Sequence, residues 1–226
     1  MRFTHFLGQY PNINTSVKVN TGKTGQVFNE KDNAHAFFAI AKDSKNWREK
    51  FELSKLEAGF NIVKTPKGNK IKVSIYADGA DVDKNVSIAK IAYDKLNHRL
   101  DVMPHIYLTD RKNPEFRDAN GLLGDRVSPK WTSIRNATEK AFKNKLSKKK
   151  KGQLANLKNT FITIEASFKA TNENINDFTR SSWGRFNHYK SLDYIIIYRG
   201  GNAIKLERNI IKTGYDFYAD KVNSLF

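Results

Sequence analysis

The sequence predicts an α+β domain with a central, mostly antiparallel sheet flanked by helices, following a helical N-terminal leader region. Apolar segments with the two-residue period of strands recur between residues 61 and 206. Segments with helical spacing interrupt them without the strict alternation of an α/β fold. The apolar share of 39% and the aromatic share of 12% are sufficient for a hydrophobic core. We therefore expect a leader over residues 1–60 and an α+β domain over residues 61–226.

Two helices are predicted in the leader. Residues 34–41 form a continuous apolar stretch compatible with a helix. A second helix is expected from Trp47 to Leu56, ending at Gly59.

The first half of the main domain begins with a predicted hairpin and a helix. Residues 61–63 and 70–75 read as its strands around the turn 66–69. Asn85 is expected to cap a helix that runs through Leu96. A strand from Leu100 to Leu108, a polar loop over residues 113–121 and a short strand over residues 122–127 are then expected.

The second half is predicted from a helix signal and three apolar runs. Ser128 and Pro129 favour a helix start, because a hydroxyl cap precedes proline at the first helical position. Residues 160–164 read as a buried strand. Residues 194–198 and 203–206 read as a closing hairpin, with a further helix expected before it.

Positive charge dominates the composition. The chain of 226 residues has 40 Lys and Arg against 23 Asp and Glu, a net charge of +17, and eleven of the basic residues lie between Arg126 and Ile164 beside one acid, Glu139. This predicts a polyanionic partner, either nucleic acid, an anionic membrane surface or an acidic protein, although charge can also serve solubility alone. Cysteine is absent, which excludes disulfides and thiolate metal sites. No apolar run is long enough for a transmembrane helix, so we expect no membrane span.

A series of short motifs occurs in a characteristic order between residues 83 and 164. They are Ile88-Ala89-Lys90, Met103-Pro104-His105-Ile106, Asn113-Pro114-Glu115, Gly124-Asp125-Arg126-Val127, Ser128-Pro129 and Ile134-Arg135-Asn136-Ala137. In this order the chain resembles the C-terminal nuclease domains of contact-dependent growth inhibition toxins and related bacterial polymorphic toxins. With the closing hairpin, the resemblance spans roughly residues 60–208.

The resemblance implies a bacterial RNase toxin, with tRNA as the favoured substrate, that is secreted or delivered into a target cell. It also implies an acidic immunity protein as a partner. Two catalytic designs occur among such toxins. One uses no metal, and the other binds metal as restriction endonucleases do.

The metal-independent design is the leading hypothesis and needs no cofactor. It requires a general acid/base and cations that stabilise the phosphorane. Residues 181–190 are rich in these groups, so we assign His188 as acid/base, with Arg185 and Lys190 as phosphate ligands. Asp125 is also included among the catalytic candidates.

The metal-dependent design is the alternative, with Mg²⁺ as cofactor and Glu115 and Asp125 as its ligands. His105 stands where the family often has an acid, and Val127 where it has the catalytic lysine. Arg126 should point to the opposite face of the strand. Lys130 is a possible substitute for the missing lysine.

Five further residues are candidates for nucleic-acid binding: Lys130, Arg135, Lys143, Tyr189 and Trp183. The basic residues would contact phosphates, and the aromatic ones would stack on bases. Trp183 could equally belong to the core. His98, at a predicted helix end where a cation is favourable, is assigned a structural role. A catalytically inert nucleic-acid-binding protein of a mobile element remains a third alternative.

Overall fold

The computed structural model describes residues 17–18, 27–28, 47–107, 112–149 and 151–226. These residues form ten strands and six helices. The strands are β1 (Val17–Lys18), β2 (Val27–Phe28), β3 (Phe60–Lys64), β4 (Lys70–Ser74), β5 (Leu100–Val102), β6 (Phe116–Asp118), β7 (Leu123–Val127), β8 (Thr160–Glu165), β9 (Leu192–Arg199) and β10 (Asn202–Glu207). The helices are α1 (Trp47–Ser54), α2 (Val82–Leu96), α3 (Ile134–Leu146), α4 (Asn172–His188), α5 (Ile210–Thr213) and α6 (Tyr215–Asn223).

Eight strands form one mixed sheet in the order β10-β9-β8-β7-β6-β5-β4-β3, and β1 pairs with β2 separately. Four neighbouring pairs of the large sheet are antiparallel, and three are parallel. Each parallel pair is joined through a helix, as a parallel connection requires. The α+β class is confirmed, and the sheet is antiparallel by a narrow majority.

The sheet separates two hydrophobic clusters. Ile195 and Ile197 of β9 belong to the cluster that contains residues of α3, α4 and α6. Tyr194, Ile196 and Tyr198 belong to the cluster that contains residues of α2. Because successive strand residues point to opposite faces, α3, α4 and α6 cover one face of the sheet and α2 covers the other.

Both hairpins, the strand over residues 160–164 and the helix before the closing hairpin are confirmed. The second leader helix is confirmed but ends at Ser54. The predicted helix over residues 34–41 lies outside the described residues. A contact links α1 to the domain, since the backbone N–H of Tyr107 donates to Glu52 over 2.7 Å.

Two predicted helix starts are wrong, and one arginine explains both. Helix α2 begins at Val82, and Asn85 lies buried within it. Helix α3 begins at Ile134, five residues after Pro129. The side chains of Asn85 and Ser128 instead accept hydrogen bonds from Arg126, over 2.8 and 2.7 Å.

The region before β7 also differs from the prediction. Strand β5 ends at Val102 instead of Leu108, and β6 lies inside the predicted polar loop. Phe116 is fully buried, which anchors this three-residue strand despite its polar neighbours. Residues 181–188 lie on helix α4, so no strand presents them. The C-terminal helices α5 and α6 have no counterpart in the prediction.

Among the described residues, no helix has the length and hydrophobicity needed to cross a bilayer.

Candidate active site

The pairing of β6 with β7 brings two carboxylates together. Phe116 lies opposite Gly124 in this antiparallel ladder, so the next pair outward is Glu115 and Asp125. The backbone N–H of Arg126 donates to both, over 3.0 Å to Glu115 Oε2 and 2.9 Å to Asp125 Oδ1. The two acids that the alternative design required are therefore neighbours.

Asp125 is completely buried and only partly satisfied. Its Oδ1 also accepts a hydrogen bond from Lys145 Nζ over 2.9 Å. Its Oδ2 is buried without a hydrogen-bond partner among the described residues. An unpaired buried polar atom costs about 1–3 kcal/mol, and more when it is charged. A cation bound at this oxygen would remove that penalty.

Both carboxyl groups resist ionisation. Burial, together with the negative charge of Asp125, raises the pKa of Glu115 to about 8, against the opposing effects of Lys145 and Arg126. Burial likewise raises the pKa of Asp125, against the opposing effect of Lys145. Two acids that share one buried site cannot both be charged without a compensating cation.

Lys145 is the lysine that contacts this carboxylate pair. It lies in the last turn of α3, twenty residues after Asp125. Val127, where the family pattern has the lysine, is buried in the core. Lys130 lies at the rim of the cavity described below, whereas Lys145 is in direct contact with the carboxylate.

Gly124 allows the carboxylate pair to sit beside the core. A Cβ atom at this position would lie 2.2 Å from the ring of Phe161. That ring is fully buried between Phe116 and Tyr194, with centroid distances of 6.5 and 4.7 Å. Glycine before Asp125 is therefore a packing requirement.

The Arg126 side chain points away from Asp125, toward α2. Its guanidinium donates to Asn85 and Ser128, as described above, and forms an ion pair with Asp81. Arg126 Nε also lies 3.7 Å from Glu115 Oε2. This buried arginine thus fixes the start of α2 and the end of β7 around Glu115.

Beside the carboxylate pair lies a cavity of about 760 Å³ between the start of α2, the end of β7 and α3. Glu115, Arg126 and Lys145 line it. Three further lysines contribute to its lining and are exposed: Lys84, Lys130 and Lys140. The cavity therefore has Glu115 in its lining and a cationic rim, while the buried Asp125 does not line it and is connected to it through Lys145.

The chemistry of this cavity fits a magnesium ion. Within the described ranges, no group of three or more His, Asp or Glu side chains has the arrangement of a metal site. Mg²⁺, however, is commonly bound by one or two carboxylates together with waters and substrate phosphates. Glu115 and Asp125, with the unpartnered Oδ2, meet that requirement.

Only some of the residues predicted to catalyse metal-independent cleavage lie close together. Arg185 and the exposed His188 line a second cavity, of about 490 Å³, between α3 and α4. Arg185 is ion-paired there with Glu139. Lys190 does not line this cavity and donates to Asn187 Oδ1 over 2.9 Å. Asp125 belongs to the other site.

The two predicted stacking residues pack against the protein. Trp183 contacts Tyr215 and Tyr218 of α6 with its ring edge. Tyr189 is half-buried against Phe142. The predicted phosphate ligands are divided, since Lys130 lines the first cavity, Arg135 lines the second and Lys143 is exposed on α3.

Two histidines have structural contacts. His105 Nδ1 lies 3.5 Å from Asp78 Oδ2. His98 follows helix α2 as expected, but burial lowers its pKa to about 4. It is therefore neutral at pH 7 and does not act as a cation at the helix end.

Sequence reasoning missed Lys145, Lys84 and the role of Arg126. One local signal was present for Lys145, because a helix that joins two parallel strands packs back over the sheet in a right-handed crossover. Nothing in the sequence selects it from its basic neighbours on the same helix.

Comparison with protein-family models, with curated proteins and with solved structures gives no match for this chain. The resemblance to toxin nucleases therefore rests on the ordered short motifs alone.

Proposed function

We propose that this protein is a divalent-cation-dependent phosphodiesterase that hydrolyses the backbone of a nucleic acid. The observation that carries the proposal is the buried Glu115–Asp125 pair, with one unpartnered oxygen, beside Lys145 at a cavity with a cationic rim. This is the restriction-endonuclease-like alternative. The metal-independent design has less support, because Lys190 and Asp125 lie apart from Arg185 and His188.

The carboxylates and the lysine have distinct roles in this proposal. Glu115 and Asp125 would hold Mg²⁺, which when bound acts as a Lewis acid and lowers the pKa of water. Lys145 Nζ, fixed by Asp125 Oδ1 and partly exposed, orients the attacking water or stabilises charge on the phosphorane.

Substrate binding is assigned to the rim. Lys84 approaches from α2, Lys130 from the β7–α3 connection and Lys140 from α3. Ammonium groups on three sides of one cavity suit a phosphodiester backbone, which carries one charge per nucleotide. Arg126 acts indirectly, because its contacts hold the elements that carry Glu115 and Lys84.

The test is cleavage of labelled tRNA and of single-stranded DNA by the full chain, with Mg²⁺ or with EDTA. We expect cleavage with Mg²⁺, none with EDTA, and none with Glu115→Gln. Activity that persists in EDTA and is lost in His188→Ala would overturn the proposal in favour of the metal-independent RNase. Nucleic acid that is bound but intact under all conditions would favour the inert binding protein.

The toxin role remains a separate proposal, supported by the ordered motifs. Expression in a bacterial host without a partner gene should arrest growth if the protein is a toxin of this kind. Asp125→Asn, expressed at the same level, should permit normal growth. An acidic immunity protein would be expected to cover the basic cavity.

A further inference from the structure

Helices α3 and α4 enclose a groove that is separate from the carboxylate pair. From α3 it is lined by Arg135 and Glu139, and from α4 by Arg180, Arg185 and His188, together with Asp177, Ser181 and Gly184. Three guanidinium groups and an exposed histidine thus face two carboxylates. The groove retains a positive balance on a chain of net charge +17.

Glu139 contacts two of these arginines, Arg135 on its own helix and Arg185 across the groove. Its Oε1 lies 3.5 Å from Arg135 Nε, and its Oε2 is ion-paired with Arg185. A guanidinium has five N–H donors, so an interaction with one carboxylate leaves most of them available. The side chain of Arg180 is exposed and makes no hydrogen bond or ion pair with the described residues. The groove therefore presents fixed donors for an anionic ligand.

Gly184 leaves the floor of the groove open. It lies inside helix α4, where glycine costs about 1 kcal/mol relative to alanine. A Cβ atom there would have no neighbour within 4 Å, so packing inside the protein does not require glycine. Together with the arginines above it, this opening suits a ligand that approaches the helix backbone closely.

The groove and the first cavity lie on opposite sides of α3. At about 100° per residue, Arg135 and Glu139 point roughly opposite to Ala137, Ala141 and Asn144, which line the cavity. Asn136 and Lys140 line the solvent-side edge of the cavity, and the exposed Lys143 lies between them and the groove. A cationic path thus crosses α3 from one depression to the other.

We propose that the α3–α4 groove is a second phosphate-binding site, which holds the nucleic-acid backbone on the far side of α3 from the bond that is cleaved. This inference rests on the proposed function. A helix with its side chains is about 10–12 Å wide. At 3.4 Å per stacked nucleotide, the groove lies about three to four nucleotides from the carboxylate pair.

The test measures binding without cleavage, as the anisotropy of labelled 2′-O-methyl oligouridines of 4 and 16 nucleotides in EDTA. The full chain is compared with the double variant Arg135→Ala/Arg180→Ala. The matched control is Lys70→Ala/Lys95→Ala, which removes two exposed charges that line neither depression. Thermal unfolding of each variant verifies its fold.

We expect the double variant to bind the 16-mer about tenfold more weakly, with a smaller loss for the 4-mer, which is too short to fill both sites at once. The slope of log affinity against log salt should fall by about 1.4, or 0.7 for each lost single-strand contact. The control should match the wild type in both measurements. An unchanged 16-mer affinity, or an equal loss for both lengths, would overturn the inference.

The two proposals fail in different ways. Cleavage that needs Mg²⁺ but does not depend on Arg135 and Arg180 refutes the groove alone. Groove-dependent binding by a protein that never cleaves refutes the catalytic proposal alone. A wild-type chain that binds neither oligonucleotide refutes both.

Discussion

Asp118 at the end of β6 and Asp125 on β7 are both buried carboxylates of one sheet, but their hydrogen-bond partners differ. Asp118, at the end of β6, accepts hydrogen bonds from the backbone of Asn120 and Leu122 over 2.9 Å each. Its other oxygen accepts one from Tyr194 over 2.9 Å, and Tyr194 in turn contacts His98. Among the described residues, both oxygens of Asp118 have partners.

Asp125, across from the start of β6, has a free oxygen and a second acid beside it. Neutral donors and backbone amides surround Asp118, whereas Asp125 accepts from Lys145, which lines the cavity with the cationic rim. A buried charge with all its partners stabilises a fold, and one without them is retained where a ligand completes it. Under the proposed function, Asp118 therefore serves stability and Asp125 the chemistry.

The largest expected effect is the difference in cleavage activity between substitution of Asp125 and substitution of Asp118. Asp125→Asn should reduce Mg²⁺-dependent cleavage by about 10³-fold, because metal-ion stabilisation contributes several kcal/mol at 1.36 kcal/mol per factor of ten. Asp118→Ala should leave cleavage per folded molecule unchanged but destabilise the fold by about 2–4 kcal/mol, since it strands several buried donors. Cleavage rates and urea unfolding of both variants measure this contrast. Equal losses of activity in the two variants would show that Asp118 and Asp125 do not differ in function.

Removal of Lys145 should have the next largest effect. Lys145→Met is expected to lower the cleavage rate by about 10²-fold, the loss typical of one positioned electrostatic donor. The control Lys158→Met removes an exposed lysine beside the start of β8, and should retain full activity. Single-turnover rates at saturating enzyme distinguish a chemical defect from weaker binding. If the two variants cleave at the same rate, Lys145 has no role in the chemical step.

The pH dependence of stability should have opposite signs in the two regions. The pKa of Glu115 is raised from 4.5 to about 8, so the folded state binds the extra proton and stability falls as pH rises through this range. The pKa of His98 is lowered from 6.5 to about 4, so the unfolded state binds the extra proton and stability falls as pH drops through that range. Each proton contributes at most about 1.4 kcal/mol per pH unit.

Urea unfolding in EDTA between pH 4 and pH 8.5 tests this. In the wild type the two contributions oppose each other between pH 4.5 and 6.5, and stability should fall above pH 6.5. Glu115→Gln should reduce the alkaline decline to the part that the raised pKa of Asp125 contributes, and His98→Gln should lose the acidic decline. A Glu115→Gln curve that parallels the wild type would show that Glu115 is not held protonated.

The smallest expected effects concern two glycines, one at each proposed site. Gly184→Ala should stabilise the protein by about 0.5–1 kcal/mol, because its Cβ meets no neighbour on a helix. Gly124→Ala should destabilise it by about 1–3 kcal/mol, because its Cβ collides with the Phe161 ring. Thermal unfolding of both variants gives the comparison. Destabilisation by Gly184→Ala would mean that the α4 backbone is not open at the groove.

The sequence by itself determined the features that depend on local periodicity and composition. The alternation of β4, the closing hairpin and the α+β class follow from side-chain patterns within a few residues. The pairing of Glu115 with Asp125 as the alternative metal ligands came from motif order, and the dense basic segment after Arg126 from simple counting.

Only the tertiary structure decided which polar side chain each basic residue contacts. Lys145 reaches Asp125 from twenty residues away, and Arg126 reaches Asn85 from forty-one. Asn85 and Ser128 have the chemistry of helix caps, yet the buried guanidinium takes their oxygens. A local sequence pattern indicates which hydrogen bonds a side chain can make. The packing of α2 and α3 on the sheet determines which partner it binds. The buried Arg126 takes precedence because an unpaired buried charge costs more free energy than the loss of a helix-capping hydrogen bond.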